Sequence, residues 1–431
     1  MVARRRKMGF ALVLVFFVGI LGYMFTAQGV NQHRDRYGRQ HVAKAILKRT
    51  AHEQPARESF VPNEDLEVYE ARLNTFRIAC AQMEQQITSR NRFIHYQTND
   101  IDVSYCSVPK VGCTFWGRVF QFLLRTNRSR EVSSPFDITR YQVHFLPLVH
   151  IKEIKINQNI IEHSKRFFFV RNPYTRLFSA YVDKFVLPQF LSLENYGLRI
   201  AKFKGQTITN PNTTCVNDLS FKDFVQHLVI GDPIGNYHWK PMYSSCNPCK
   251  LFPHFIGKQE SFNKDAKYIL REVGLGHILE KYSHKKYISD EIAQMVDFTF
   301  SFRDRMTSLR RCFDDISLTE KIWTTFQING HLKPDMKFPK ATFKRILEGS
   351  LSTKDAKKRV TKEFVRVNEN AHISHELHST LKLRWMLKAF KSLTRDTMEQ
   401  IAKYYDIDFK LFGYEKYPKD LFPWRYTNSS G

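Results

Sequence analysis

The chain has 431 residues, 42% of them hydrophobic and 14% aromatic, which excludes a disordered chain and allows one large domain or two ordinary ones. Lys and Arg number 67 against 42 Asp and Glu, a net charge of +25. That excess calls for an anionic partner: nucleic acid, acidic lipid or acidic polysaccharide.

The N-terminus narrows the choice. Arg4, Arg5, Arg6 and Lys7 form a short tail, residues 1–7, before a stretch with no charge over residues 8–27. Twenty such residues suffice to span a bilayer, and the basic cluster before them favours a cytoplasmic start. A cleaved signal peptide is the alternative, but the apolar run is long for one and no small-x-small cleavage site follows. The pattern predicts a signal anchor with the bulk of the chain in the secretory lumen. Nucleic acid is then no partner. Sequons at Asn127, Asn212 and Asn428 agree with that side of the membrane. So do cysteines able to form disulfides: Cys80, Cys106, Cys113, Cys215, Cys246, Cys249 and Cys312. An odd count leaves at least one thiol without a partner in the chain.

Residues 28 to about 65 are polar and basic, with Pro55 and Pro62, and a helical pattern over 66–90 follows, so residues 28–95 read as a lumenal stem. A globular domain, residues 96–431, comes after. In it, 101–108 predicts a strand and 116–124 a helix with Trp116, Val119, Phe120 and Leu123 on one face. Phe167 to Val170 is wholly apolar, as in a strand buried on both faces. Pro173 suits the first turn of a helix, whose apolar positions are Tyr174, Leu177, Phe178, Tyr181 and Phe185. Arg176 and Asp183 fall on the opposite face with Ser179. Ser220 predicts the cap of a further helix through Phe224 and Leu228. Strand–turn–helix units predict an α/β domain around a central parallel sheet flanked by helices. Residues 280–400 are helical in pattern and strongly basic, and runs such as 354–362 read as a solvated face.

Two turns carry the chemistry. In SVPKVGCTFW, residues 107–116, a strand runs through Pro109, Lys110, Val111, Gly112, Cys113, Thr114 and Phe115 into a helix. Such a turn offers free N–H groups at a positive dipole end, with a Lys and a hydroxyl beside them, as a Walker loop does. Gly112 would let the backbone approach a phosphate closely. In RFFFVRNPYTRLFSAY, residues 166–181, Arg171 follows the buried strand and can fork onto a phosphate. Ser179 lies two helical turns further on.

Together these segments resemble the Golgi carbohydrate sulfotransferases of the chondroitin, dermatan and HNK-1 type. The first resembles the loop of that family that holds the 5′-phosphosulfate, here CSVPKVGCTFW. The second resembles its 3′-phosphate site, here FVRNPYTRLFSAY. Three later blocks agree: HWKPMYSSCNPC from His238 to Cys249, IGKQES, and DFKLFGY from Asp408 to Tyr414. The resemblance implies a P-loop-like sulfotransferase domain behind the anchor, in the Golgi lumen. It implies transfer of a sulfonate group from 3′-phosphoadenylyl sulfate to a hydroxyl of an acidic glycan, with no metal. Residues 109–115, Arg171 and Ser179 would bind the donor, Lys110 would stabilise the leaving phosphate, and His238 would be the base, with His144 and His150 as alternatives. The first acceptor it suggests is O4 of N-acetylgalactosamine in chondroitin or dermatan. Two positions depart from the pattern: Phe115 stands at a usual Asn, and Gly117 at a usual Lys. The stretch 280–390 is longer than in the vertebrate enzymes and is a candidate for acceptor preference. A lumenal kinase would want Mg²⁺ and acidic ligands for it, and the chain has no Walker loop and no HRD–DFG set. A non-catalytic glycan-binding protein is the other alternative. Cys246 and Cys249 suggest structural disulfides with partners unassigned, and Cys113 the free thiol.

Overall fold

The computed structural model describes residues 63–83, 93–126, 132–145, 162–187, 196–211, 213–216, 218–231, 235–279, 284–305 and 311–426. The anchor at 8–27, the rest of the stem before residue 63, the three sequon asparagines and His150 lie outside them. No helix among the described residues is long and apolar enough to cross a membrane.

The compact unit runs from Glu64 to Gly431. Helix α1, Asn63–Met83, leads to strands β1, Phe93–Gln97, and β2, Asp102–Cys106. Helices α2, Cys113–Thr126, and α3, Arg140–Phe145, precede β3, Lys165–Val170. Then come α4, Pro173–Tyr181, α5, Leu198–Phe203, α6, Phe221–Gln226, and α7, Pro248–Leu251, before β4, Phe255–Lys258. The remainder is helical: α8, Phe262–Glu272, α9, His284–Arg305, α10, Asp315–Ile328, α11, Lys340–Glu348, α12, Thr353–Asn370, α13, His375–Lys391, α14, Arg395–Tyr404, and α15, Asp406–Phe412.

The sheet order is β1-β2-β3-β4, and it is mixed rather than parallel. β2, β3 and β4 are parallel, but β1 pairs antiparallel with β2, from Phe93 opposite Cys106 to Gln97 opposite Asp102. The cause is local. Only residues 98–101 join them, with Thr98 N–H donating to the Ile101 carbonyl at 2.7 Å, and so short a link permits only a hairpin. The strand expected over 101–108 accordingly stops at Cys106, where the polar turn begins.

β3 shows why its run of phenylalanines is continuous. Phe167, Phe168, Phe169 and Val170 are all fully buried. Side chains alternate across a strand, so Phe167 and Phe169 meet Trp116 of α2, at 4.5 and 5.4 Å between ring centres. Phe168 points the other way, to Phe76 of α1 and Phe412 of α15 at 6.2 and 5.8 Å. The helix read as the end of the stem therefore covers one face of the sheet. Tyr69 donates to Asp265 of α8 at 2.9 Å, and Cys80 is bonded to Cys249. Cys106 pairs with Cys246 and Cys215 with Cys312, so the two cysteines of CNPC go to different partners and Cys113 is the free thiol.

Ser220 caps α6 as expected, accepting from Asp223 N–H while Asp223 accepts in return. The helical extension has its own core, where Trp323, Phe326, Phe343 and Phe364 pack together. Lys354, Lys358 and Lys362 are exposed, as a solvated face should be.

Candidate active site

The turn after β2 is held in an uncommon backbone conformation. Lys110 has φ 70° and Gly112 φ 86°. A left-handed Lys costs roughly 1–2 kcal/mol, which the fold must supply from elsewhere. For Gly112 the constraint is also steric: a Cβ there would sit 2.3 Å from Phe262 Cε2. The close approach that demands glycine is thus to the Phe262 ring at the head of α8. The first bond of α2 is Trp116 N–H to the Gly112 carbonyl, which leaves the N–H groups of Cys113, Thr114 and Phe115 at the helix start. The Phe115 ring packs edge-on against Trp116 and Phe262, both at 5.2 Å, so at this position an aromatic cluster replaces a polar side chain.

The second turn abuts the first. Arg171 donates from Nε to Thr175 Oγ1 at 2.9 Å and from Nη1 to the Lys110 carbonyl at 3.3 Å. Asn172 caps α4 by accepting from Tyr174 and Thr175 N–H. Ser179 is half-buried on the same helix, and its hydroxyl has no hydrogen-bond partner among the described residues.

Arg176 corrects the helical-face reading. It is 1% exposed, and its guanidinium donates to the carbonyls of Pro109 at 3.0 Å, Lys240 at 2.7 Å and Tyr237 at 3.2 Å. The face opposite the apolar stripe is covered by residues 235–241, and Arg176 stitches that segment to the first turn.

Asp183 is buried too, in a single π-helical turn, Val182–Val186, that extends α4. Its carboxylate accepts from Lys110 Nζ at 2.9 Å and Arg140 Nη2 at 2.7 Å, and lies 3.4 Å from Lys184 Nζ. Burial alone would raise its pKa, but Arg140, Lys110 and Lys184 together hold it well below the usual carboxylate range. Burial lowers the Lys110 ammonium, with Asp183 opposing, and brings Lys184 down to about 8.

His238 belongs to this group. Its Nδ1–H donates to Asn236 Oδ1 at 2.7 Å, which leaves the lone pair on Nε2. Burial, then the Lys184 charge, holds its pKa well below the ordinary value, so the ring is neutral at pH 7. Lys110 and His144 act on it as well. His144 Nε2 is 3.1 Å from Thr114 Oγ1. His144 keeps solvent access, yet burial of its ring and then Arg140 and Lys184 depress its pKa in the same direction.

The later blocks converge here. Asp408 accepts from Met242 N–H at 2.6 Å and Tyr243 N–H at 3.0 Å, fixing the segment just after His238. Glu260 accepts from Asn172 N–H at 2.8 Å and Tyr414 O–H at 2.9 Å, tying the fourth and fifth blocks to the second turn. Arg140, Lys184, Asp183, Glu260 and Asp408 were not singled out as site residues from sequence. Asp183 and Lys184 follow directly on the second motif, which was a usable signal. Arg140 had none.

Residues 95–321, more than half of the chain, match the model of the sulfotransferase family. The chain belongs to that family. Among its relatives, carbohydrate sulfotransferase 14 of Danio rerio is 33% identical over 217 residues, covering 48% of this chain and 58% of that protein. Carbohydrate sulfotransferase 11 of Rattus norvegicus is 32% identical over 206 residues, 45% of this chain and 57% of its own length. Carbohydrate sulfotransferase 8 of Mus musculus is 30% identical over 215 residues, 48% and 50%. The chain thus aligns with little more than half the length of these relatives. No solved structure matches. The carbohydrate sulfotransferase resemblance drawn from the five blocks is borne out, and α11 to α15 lie beyond the family match.

Proposed function

We propose that the protein transfers a sulfonate group from 3′-phosphoadenylyl sulfate to a hydroxyl of an acidic glycan. One observation carries the reading: two motifs 60 residues apart meet through the Arg171–Lys110 hydrogen bond, beside His238, with a surplus of positive charge. The donor set suits a polyanion. It consists of ammonium and guanidinium groups, N–H groups at a helix start, and hydroxyls. Buried Arg140 Nε has no hydrogen-bond partner among the described residues.

The donor supplies a sulfonate on a phosphate leaving group. In this reading Lys110 and the N–H groups at the start of α2 stabilise charge that develops on that phosphate. Arg171 and Ser179 hold the 3′-phosphate and set the register of the nucleotide. His238 Nε2 accepts the proton of the attacking hydroxyl, its tautomer set by Asn236. Asp183 and Arg176 orient Lys110 and the loop that carries it. Three disulfides support a lumenal location, with residues 8–27 as the membrane anchor and the Golgi as the compartment. The names of the relatives support a carbohydrate acceptor, and within that class N-acetylgalactosamine O4 of chondroitin or dermatan is our first choice.

The test is to incubate the full chain in detergent with radiolabelled donor and desulfated chondroitin, desulfated dermatan or a glucuronate-terminated glycan, with and without EDTA. Label in a glycan, insensitive to EDTA, is expected. Saturable glycan binding without transfer would overturn the catalytic reading.

A further inference from the structure

Helix α13 lies outside the family match, yet it reaches this site. His378, Lys382, Met386 and Phe390 recur every four residues and so share a face. Both ends of that face are pinned. Phe390 packs edge-on against Tyr174 of α4 at 5.7 Å, and Met386 is buried in the same cluster as Tyr174 and Leu177. At the other end the His378 ring lies 5.0 Å from that of His331, and Gly330 leaves no room for a Cβ, which would be 2.4 Å from the His378 carbonyl oxygen.

Lys382 is held between these anchors, half-buried. Its ammonium lies within electrostatic reach of Arg171, Glu291 of α9 and Lys110. It makes no hydrogen bond or ion pair within 4 Å among the described residues. Glu291 is itself engaged by His331, whose Nε2 lies 3.5 Å from Oε2. Lys110, Arg140, Arg171, Lys184 and Lys382 therefore gather around two carboxylates, Asp183 and Glu291. Collecting cations away from water is unfavourable unless an anion joins them, and a phosphate monoester brings about −1.5 to −2.

We propose that Lys382 is a third ligand, with Arg171 and Ser179, for the 3′-phosphate of the nucleotide, so that the helical extension completes the donor site. This rests on the reading given under Proposed function. Phe390, two turns further along the face that carries Lys382, packs on Tyr174, three residues after Arg171, which favours the 3′-phosphate over the phosphosulfate end.

The experiment is calorimetric titration of the full chain in detergent with adenosine 3′,5′-bisphosphate and with adenosine 5′-phosphosulfate, which lacks the 3′-phosphate. Lys382→Met should weaken bisphosphate binding about 10- to 100-fold and leave phosphosulfate binding unchanged. Lys382→Arg should recover most of the loss, which a folding defect would not. Lys388→Met, an exposed position on the same helix, should bind as the wild type does. Wild-type bisphosphate affinity in Lys382→Met, or equal loss for both nucleotides, would overturn the assignment alone. A wild-type chain that binds neither nucleotide would overturn the donor reading beneath it as well.

Discussion

Replacing Asp183 with Asn tests whether one carboxylate organises the cations of the site. Asp183 is buried, and its three partners are each less than a fifth exposed. At an effective dielectric of 20, each contact near 3–4 Å is worth roughly 4 kcal/mol of attraction, much of it offset by desolvation of the charges. Removing one member of such a buried group costs about 3–5 kcal/mol, because the remaining charges stay buried and unpaired. Over a unit the size of Glu64–Gly431, unfolding with about 2.1 cal/mol/K per residue, that loss corresponds to a fall in Tm of about 4–6 °C. Lys110 would also lose the neighbour that most favours its charged form, so its pKa should fall further and turnover with it. The pH dependence has a definite sign. The folded pKa of Asp183 lies below its unfolded value, so its contribution is present above about pH 4 and is lost as pH falls towards the folded value. Thermal melts of wild type and Asp183→Asn from pH 3 to 8 should show a constant gap above pH 5 that closes in acid. A gap under about 1 kcal/mol at pH 7 would refute the buried-hub argument, since exposed pairs are worth no more than that.

Further outcomes follow from the geometry. His238→Ala should lower kcat by about 10²- to 10⁴-fold while bisphosphate affinity stays within about twofold; retained turnover would end the assignment of the base. In the wild type, kcat/KM should have no acid limb near pH 6.5, because His238 is already neutral there, and should decline through about pH 8 as Lys184 loses its proton. Gly112→Ala should destabilise the protein by about 2–4 kcal/mol in urea titration, through both its φ and the overlap with Phe262. Adding Phe262→Ala should remove the overlap and not the backbone strain. A neutral Gly112→Ala would mean that the loop does not keep this shape.

The two turns, their flanking helices, the Ser220 cap and the helical extension were legible because each depends on residues adjacent in the chain. Hydrophobic period, a Pro at the first turn of a helix and a capping Ser act over a few residues. The misreadings are of another kind. The helical wheel put Arg176 opposite the apolar stripe, but the wheel holds no information about the segment 235–241 that covers that face. The antiparallel β1 was missed because a parallel sheet was inferred from the two strand–turn–helix units alone. The end of the stem was misjudged because the few buried positions of α1, Tyr69 and Phe76 among them, sit in a strongly charged sequence. Their partners, Asp265, Phe168 and Phe412, are 92 to 336 residues away.

The sequence by itself determined the two turns, the order of the later blocks and the family they announce. Those are matters of residue type and spacing. Only the tertiary structure decided that Asp183 gathers Lys110, Arg140 and Lys184, that Arg176 is a buried suture, which cysteines pair, and that α13 brings Lys382 to Arg171. Apart from the adjacent Lys184, these are contacts between residues 43 to 211 apart, set by how helices pack and loops close over them, and a charge bears no mark of its partner until the chain has folded.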